Sequence, residues 1–285
     1  MLVSFSYRPR KSFIETFDPR ARWIFSILML SSIVLFWDIR FLLFFFLVAM
    51  AQFYLSRLTW SETRRAWLLI LFLTTTMILF NTIITGAGTI EGVIAGGTPV
   101  VQFQINFPFT DWHIHYVLTL ERLWFALAQY LRVLGIASMF IVIPFTMAPR
   151  IYGATFKGIG LPDKLAFTMD LAFRFIPTLV RDYQVTVDAQ RARGFEIEKS
   201  GGGIFAQIRK VAPLLVPVTM NAILAGEDIA NAMDLRCFGL QKRTWVEALK
   251  FQQRDFWMIG ISLAILITSL VIRFGFHVGD FWFPM

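Results

Sequence analysis

Cysteine is nearly absent: one residue, Cys237, in 285. That excludes an internal disulfide and any multi-cysteine metal site. Charge is scarce as well, at 16% of residues, against 56% hydrophobic and 31 phenylalanines. A soluble chain of this length does not combine so little charge with so much apolar surface. The class that fits is an integral membrane protein, and the mean hydropathy of +0.62 agrees. No cleavable signal peptide is expected, because residues 1–22 are polar and basic and no apolar run begins before Trp23.

Catalytic signatures are missing too. No G-x-x-x-x-G-K-[ST] occurs, so no phosphate-cradling P-loop is expected; the run Lys199-Ser200-Gly201-Gly202-Gly203 has the wrong order. No D-x-x-x-D or N-D-x-x-D pair of the kind that holds magnesium in membrane transferases is present. Asp228 and Asp234 are six apart and point to different faces of a helix. No catalytic residue is assigned.

What is present is organised by charge. Apolar segments lie at about 21–39, 40–56, 66–86, 122–146 and 256–277. The first two have apolar cores of only ~15 residues, or ~22 Å against a ~30 Å hydrocarbon layer. They read as two short spans or as one interrupted helix. Residues 1–22 hold five basic residues and 57–65 hold three. Cytoplasmic loops carry the excess of Lys and Arg, so an even number of crossings separates these flanks. Two spans joined at Asp38-Ile39-Arg40 are therefore expected.

Between Ala66 and Glu121 there is no Lys or Arg, which marks 87–120 as external. Residues 150–254 carry fifteen basic and ten acidic residues and return to the cytoplasm. Eight of the nine tryptophans lie near expected span ends, Trp245 being the exception. The expected architecture is all-α: about five transmembrane helices and a cytoplasmic block of long amphipathic helices. Its divisions are 1–149, 150–254 and 255–285, the last holding the final span and an external tail. Localisation is a multi-pass cell-membrane protein, N-terminus cytoplasmic and C-terminus external. The net charge of +8 is loop bias rather than nucleic-acid binding.

In the external loop a Gly-rich stretch precedes the alternating VVQFQINF, which suggests a short hairpin or strand. His113 and His115 follow as H-x-H. On a strand they share a face, a candidate metal pair, but no third ligand accompanies them and no metal site is assigned. Arg132 lies inside the fourth apolar segment. An intramembrane Arg faces a partner or polar groove, or it snorkels or pairs with Glu121 or a backbone carbonyl.

The cytoplasmic block reads as two helices. After Gly160-Leu161-Pro162, Leu165, Met169, Ala172, Ile176, Leu179, Tyr183 and Val187 form one stripe. Pro177 is expected to bend or interrupt it. After Ser200–Gly203 a second pattern runs from Ile204 to Ala232, with Pro213 and Pro217 inside and the apolar run 211–226 tempting a sixth span. Each helix ends at an arginine, Arg193 and Arg236. One such arginine complements the helix dipole; two on one block suggest docking, for which the five-donor guanidinium fork is suited.

From Gly158 to Trp245, the GLP turn, FRFIP at Phe173–Pro177, AQRARG, PLLVPV at Pro213–Val218 and a second arginine motif followed by KRT occur in order. In these features the chain resembles the transmembrane T subunit of energy-coupling factor transporters, a class of ABC importers for vitamins and transition-metal ions. The resemblance implies two Ala-Arg-Gly-like docking motifs, one for each of two ABC ATPase subunits. Ala192-Arg193-Gly194 matches fully. Leu235-Arg236-Cys237 departs at Leu and Cys. Cys237 in place of glycine implies a roomier pocket, or a later turn that Gly239 would supply. The resemblance also implies a substrate-binding S subunit in the membrane, ATP and Mg held by the ATPases, no cofactor in this chain and no nucleic-acid partner. Two competing readings are a membrane-embedded transferase and the permease half of an ordinary ABC importer. The missing aspartate signature weighs against the first, and two long arginine-ended helices against the second.

Overall fold

The computed structural model describes residues 10, 12–86, 99–106, 113–194, 204–240, 245, 249–276 and 279, without the side chains of 82–86, 99–106, 113–119 and 204–211. The Gly-rich stretch 87–98 and the Ser200–Gly203 break lie outside the described residues. Two compact units form: Ser6–Met147 with Lys250–Met285, and Ala148–Leu249.

The first unit holds α1 (Pro19–Val34), α2 (Ile39–Leu55), α3 (Trp60–Gly86), α4 (Leu120–Thr146) and α8 (Gln253–Leu270), the last continued by a π-helical turn over Val271–Gly275. Asp18 caps α1 and Asp38 caps α2, each accepting from the N–H two residues on. The chain is thus broken between Val34 and Ile39 into two helices rather than one. At 16 and 17 residues they reach only ~24 and ~26 Å. α3, α4 and α8 are long and apolar enough to cross a membrane. The protein is an all-α, polytopic membrane protein. One short hairpin joins α3 to α4: β1 (Pro99–Asn106) runs antiparallel to β2 (His113–Thr119), with Asn106 opposite His113 and Gln104 opposite His115.

The core of this unit is a seam of Met29, Ile33, Phe36, Leu42, Phe45, Ala49, Ala128 and Met139. Small residues let α2 and α4 come close. A Cβ at Gly135 would stand 3.7 Å from the Phe46 Cα, an ordinary contact, and Ala49 is fully buried.

Hydrogen bonds fix which helix ends share a side. Arg10 pairs with Glu62 of α3 at 2.7 Å and donates to the Phe145 carbonyl at 3.2 Å. Arg22 donates to the carbonyl and hydroxyl of Thr146, both at 3.0 Å. Buried Asp255 accepts from the Asp18 N–H at 2.9 Å and the Gln252 N–H at 2.8 Å, so one carboxylate holds the starts of α1 and α8 together. The starts of α1, α3 and α8 and the end of α4 therefore lie on one side. On the other, the Trp37 N–H donates to the Gly279 carbonyl at 2.9 Å.

Because α1 and α2 are short, their connection meets α4 in mid-length. Arg132, fourteen residues before Thr146 or ~21 Å along the axis, donates to the Phe36 carbonyl, and its guanidinium lies 3.9 Å from the centre of the Trp37 ring. Trp37 in turn stacks on Phe125 at 5.5 Å. A cation near the end of α1 complements its dipole, and a desolvated cation–π contact adds about 2 kcal/mol.

The second unit holds α5 (Tyr152–Ile159), α6 (Asp163–Ala192) and α7 (Ile204–Leu235). The apolar run 211–226 lies inside α7. Pro177, Pro213 and Pro217 sit within continuous helices, so none of them interrupts its helix. α5 was not foreseen in the sequence; eight residues are too few to show a period. The stripe expected on α6 is only partly covered. Leu165 is 56% exposed, whereas Ala166 and Asp170 are buried. Two long helices and one short one offer too little shared surface to cover a stripe along thirty residues.

Candidate docking site

Each arginine motif is a helix C-cap. At the end of α6, Arg193 is the cap residue, the Gly194 N–H donates to the Arg191 carbonyl at 2.9 Å, and Gly194 adopts φ +82°. At the end of α7, the Cys237 N–H donates to the Asp234 carbonyl at 2.9 Å and the Phe238 N–H to the Met233 carbonyl at 3.0 Å. That pair of bonds is a Schellman cap, which requires a left-handed residue at the position after the cap. Cys237 supplies it, with φ +54°.

The expectation that the second motif turns later is therefore corrected. Gly239 is also left-handed, at φ +93°, but the helix ends at Cys237, in the place Gly194 holds on α6. The helix-ending hydrogen bonds require that conformation, and a non-glycine residue adopts it at a cost of about 1–2 kcal/mol. The two motifs have the same backbone register despite their different letters.

Ala192, Arg193, Gly194, Leu235, Arg236 and Cys237 are all exposed. Their surroundings differ. The last turns of α6 carry Arg181, Asp182, Asp188 and Arg191, and Arg191 approaches Asp188 at 3.9 Å. The last turns of α7 carry Glu227, Asp228 and Asp234, with Leu235 87% and Leu240 79% exposed. One end presents mixed charge and the other an acidic flank with bare leucines.

The fold does not bring the two ends together. Phe238, directly after the second motif, packs on Phe167 in the second turn of α6, with ring centres 4.5 Å apart. Arg193 lies twenty-six residues further along α6, ~39 Å of helix. Two separated, solvent-facing cationic caps can each enter a separate groove lined by carboxylates or carbonyls.

Sequence reasoning missed what supports the second cap. Besides Phe167 and Phe238, α5 crosses α6 very closely at Gly153. A Cβ there would stand 2.7 Å from Asp170 Cβ, 2.8 Å from the Ala166 carbonyl oxygen and 3.0 Å from the Trp245 ring. Trp245, the one tryptophan away from an expected span end, therefore fills the α5–α6 crossing. The available signal was an aromatic residue just past a helix stop, the position whose apolar contact accompanies a Schellman cap.

Arg132 is buried against Phe36 and Trp37, within the first unit. His113 and His115 occupy alternate positions on β2; their side chains lie outside the described residues. Among the described residues, no group of three His, Cys, Asp or Glu is placed to hold a metal ion.

Comparison with known proteins places this arrangement. The chain is 28% identical over 292 residues to the energy-coupling factor transporter transmembrane protein EcfT of Staphylococcus aureus, covering 96% of each chain. It is 26% identical over 275 residues to the protein of the same name from Lactococcus lactis, covering 93% of this chain and 95% of the relative. A third, from Thermosediminibacter oceani, is 34% identical over 121 residues, 42% of this chain and 45% of the relative. A family profile described as CbiQ, cobalt transport protein, matches residues 10–246, and with that span matched the chain belongs to this family.

Proposed function

We propose that the chain is the transmembrane coupling subunit of an energy-coupling factor importer, passing the ATP-driven motion of two partner ATPases to a substrate-binding membrane subunit. The observation that carries this reading is the pair of exposed arginine caps of equal backbone register on two long helices of one unit. Relatives named as energy-coupling factor transmembrane proteins over nearly the full chain support it.

In this reading Arg193 and Arg236 each enter a groove of one ATPase, flanked by Ala192 and Gly194 on α6 and by Leu235 and Cys237 on α7. ATP and Mg bind to the partners, and this chain performs no covalent chemistry. When the ATPases close, the caps move with them and α6 and α7 shift as packed helices. The side shared by the starts of α1, α3 and α8 is cytoplasmic, as is the second unit, and the C-terminus is external. The bias of basic residues towards these segments supports that orientation. The cargo, a vitamin or a transition-metal ion, is chosen by the substrate-binding subunit.

The test is purification from the source membrane with identification of every bound chain. Two ATPase subunits and a small apolar membrane protein are expected. Arg193→Glu and Arg236→Glu together are expected to release the ATPases; full retention in the double variant rejects the docking role.

A further inference from the structure

Arg193 ends a thirty-residue helix, and among the described residues no hydrogen-bonded or ring contact ties Ala192, Arg193 or Gly194 to another element. Pro177 lies between the base of α6 and this end. It removes one backbone hydrogen bond from the ladder and leaves a compliant point. Arg236 is held differently. Beyond backbone bonds of the kind that close both caps, Phe238, two residues on, packs on Phe167. Phe167 follows Ala166, which is fully buried, and Ala166 lies at the Gly153 crossing that Trp245 also fills. The end of α7 is therefore anchored to the base of α6, where the unit is most tightly packed.

From this we infer that the Phe167–Phe238 contact makes the α7 cap a braced, preorganised docking element, held from the base of the other long helix. Phe167 is then a positioning residue for Arg236, although it sits on the other long helix and about 39 Å of helix from Arg193. The inference rests on the docking reading of the two caps. Preorganisation strengthens binding by removing the cost of ordering the surface, so loss of the Phe167 ring weakens docking at one cap only.

The experiment uses the whole complex purified from native membranes, with the copurifying ATPase chains as the probe. Phe167→Ala is combined with Arg193→Glu, leaving only the α7 cap, and separately with Arg236→Glu, leaving only the α6 cap. Retained ATPase is measured against each single arginine variant. The expected result is at least a tenfold loss in the Arg193→Glu background and less than a twofold change in the Arg236→Glu background. Phe167→Leu, which keeps apolar contact, is expected to restore most of the loss.

Equal losses in both backgrounds would mean that Phe167 supports the whole unit, and no loss in either would mean that the contact is idle. Either outcome overturns the brace. If Phe167→Ala does not accumulate in the membrane, Phe238→Ala in the same two backgrounds reads the same contact from its other side. The double variant Arg193→Glu with Arg236→Glu separates the two ideas. Full ATPase retention there rejects docking itself, whereas release there with equal losses from Phe167→Ala rejects only the brace.

Discussion

The two units differ in how their helices are joined, although both leave apolar residues exposed. In the unit of α1–α4 and α8, buried polar residues are spent on joining helices. Asp255 is 1% exposed and binds backbone N–H groups at the starts of two helices. Arg22 closes on the end of α4, and Arg132 closes on the α1–α2 connection. In the unit of α5–α7, long helices leave apolar residues bare: Leu215, Val216, Met220, Ile223 and Leu224 of α7 are each at least half exposed. In hydrocarbon an unmade hydrogen bond costs several kcal/mol, so a membrane unit must satisfy itself internally. In the second unit the tight packing gathers in a small base around Gly153.

That contrast can be broken by substitution. The largest effect is expected at Asp255→Ala, which strands the buried Asp18 N–H and frees the part-buried Gln252 N–H, and should lower stability by about 3 kcal/mol. Its measure is the thermal midpoint in detergent, and an unchanged midpoint would mean that the α1–α8 junction is not held there. Next is Gly153→Ala. Overpacking costs about 1–3 kcal/mol, and the added Cβ faces the Ala166 carbonyl and the Asp170 Cβ rather than a flexible side chain. Limited proteolysis should show faster cleavage within 148–249 while the first unit stays protected.

Arg132→Lys keeps the charge but loses the flat guanidinium over Trp37, and weakening the cation–π contact of about 2 kcal/mol should cost about half of it. A change in tryptophan fluorescence together with a small fall in midpoint would register it. By contrast, Leu215→Ser and Ile223→Ser should alter the midpoint of the isolated chain by less than about 0.5 kcal/mol, as for surface sites elsewhere. A loss of several kcal/mol there would show that the α7 face is covered within the chain. A local, stabilising effect is expected from Cys237→Gly. It relieves a left-handed residue and should stabilise the α7 cap by about 1 kcal/mol or less, seen as slower amide exchange at Phe238.

Much of this was legible in the letters. The break at Asp38 was readable because a capping aspartate and basic flanks speak for two helices. The hairpin was readable from the alternation in VVQFQINF, and the ends of α6 and α7 from an arginine followed by a stop. The stripe from Leu165 to Val187 was readable as helical, but how much of it is covered was not, because periodicity reports a helix and not the presence of a neighbour. The sequence left open a turn at Gly239, which propensity favours, whereas the cap bonds to Asp234 and Met233 put it two residues earlier, at Cys237.

The sequence by itself determined the class of protein, the positions of its apolar helices and the two arginine-ended helices, because composition, charge bias and helical period are local properties. Only the tertiary structure decided that Asp255 joins α1 to α8, that Arg132 serves the α1–α2 connection and that Phe238 rests on Phe167. Those contacts pair residues as many as 237 positions apart, and the partner of a buried polar or aromatic group is set by which helices the fold brings side by side.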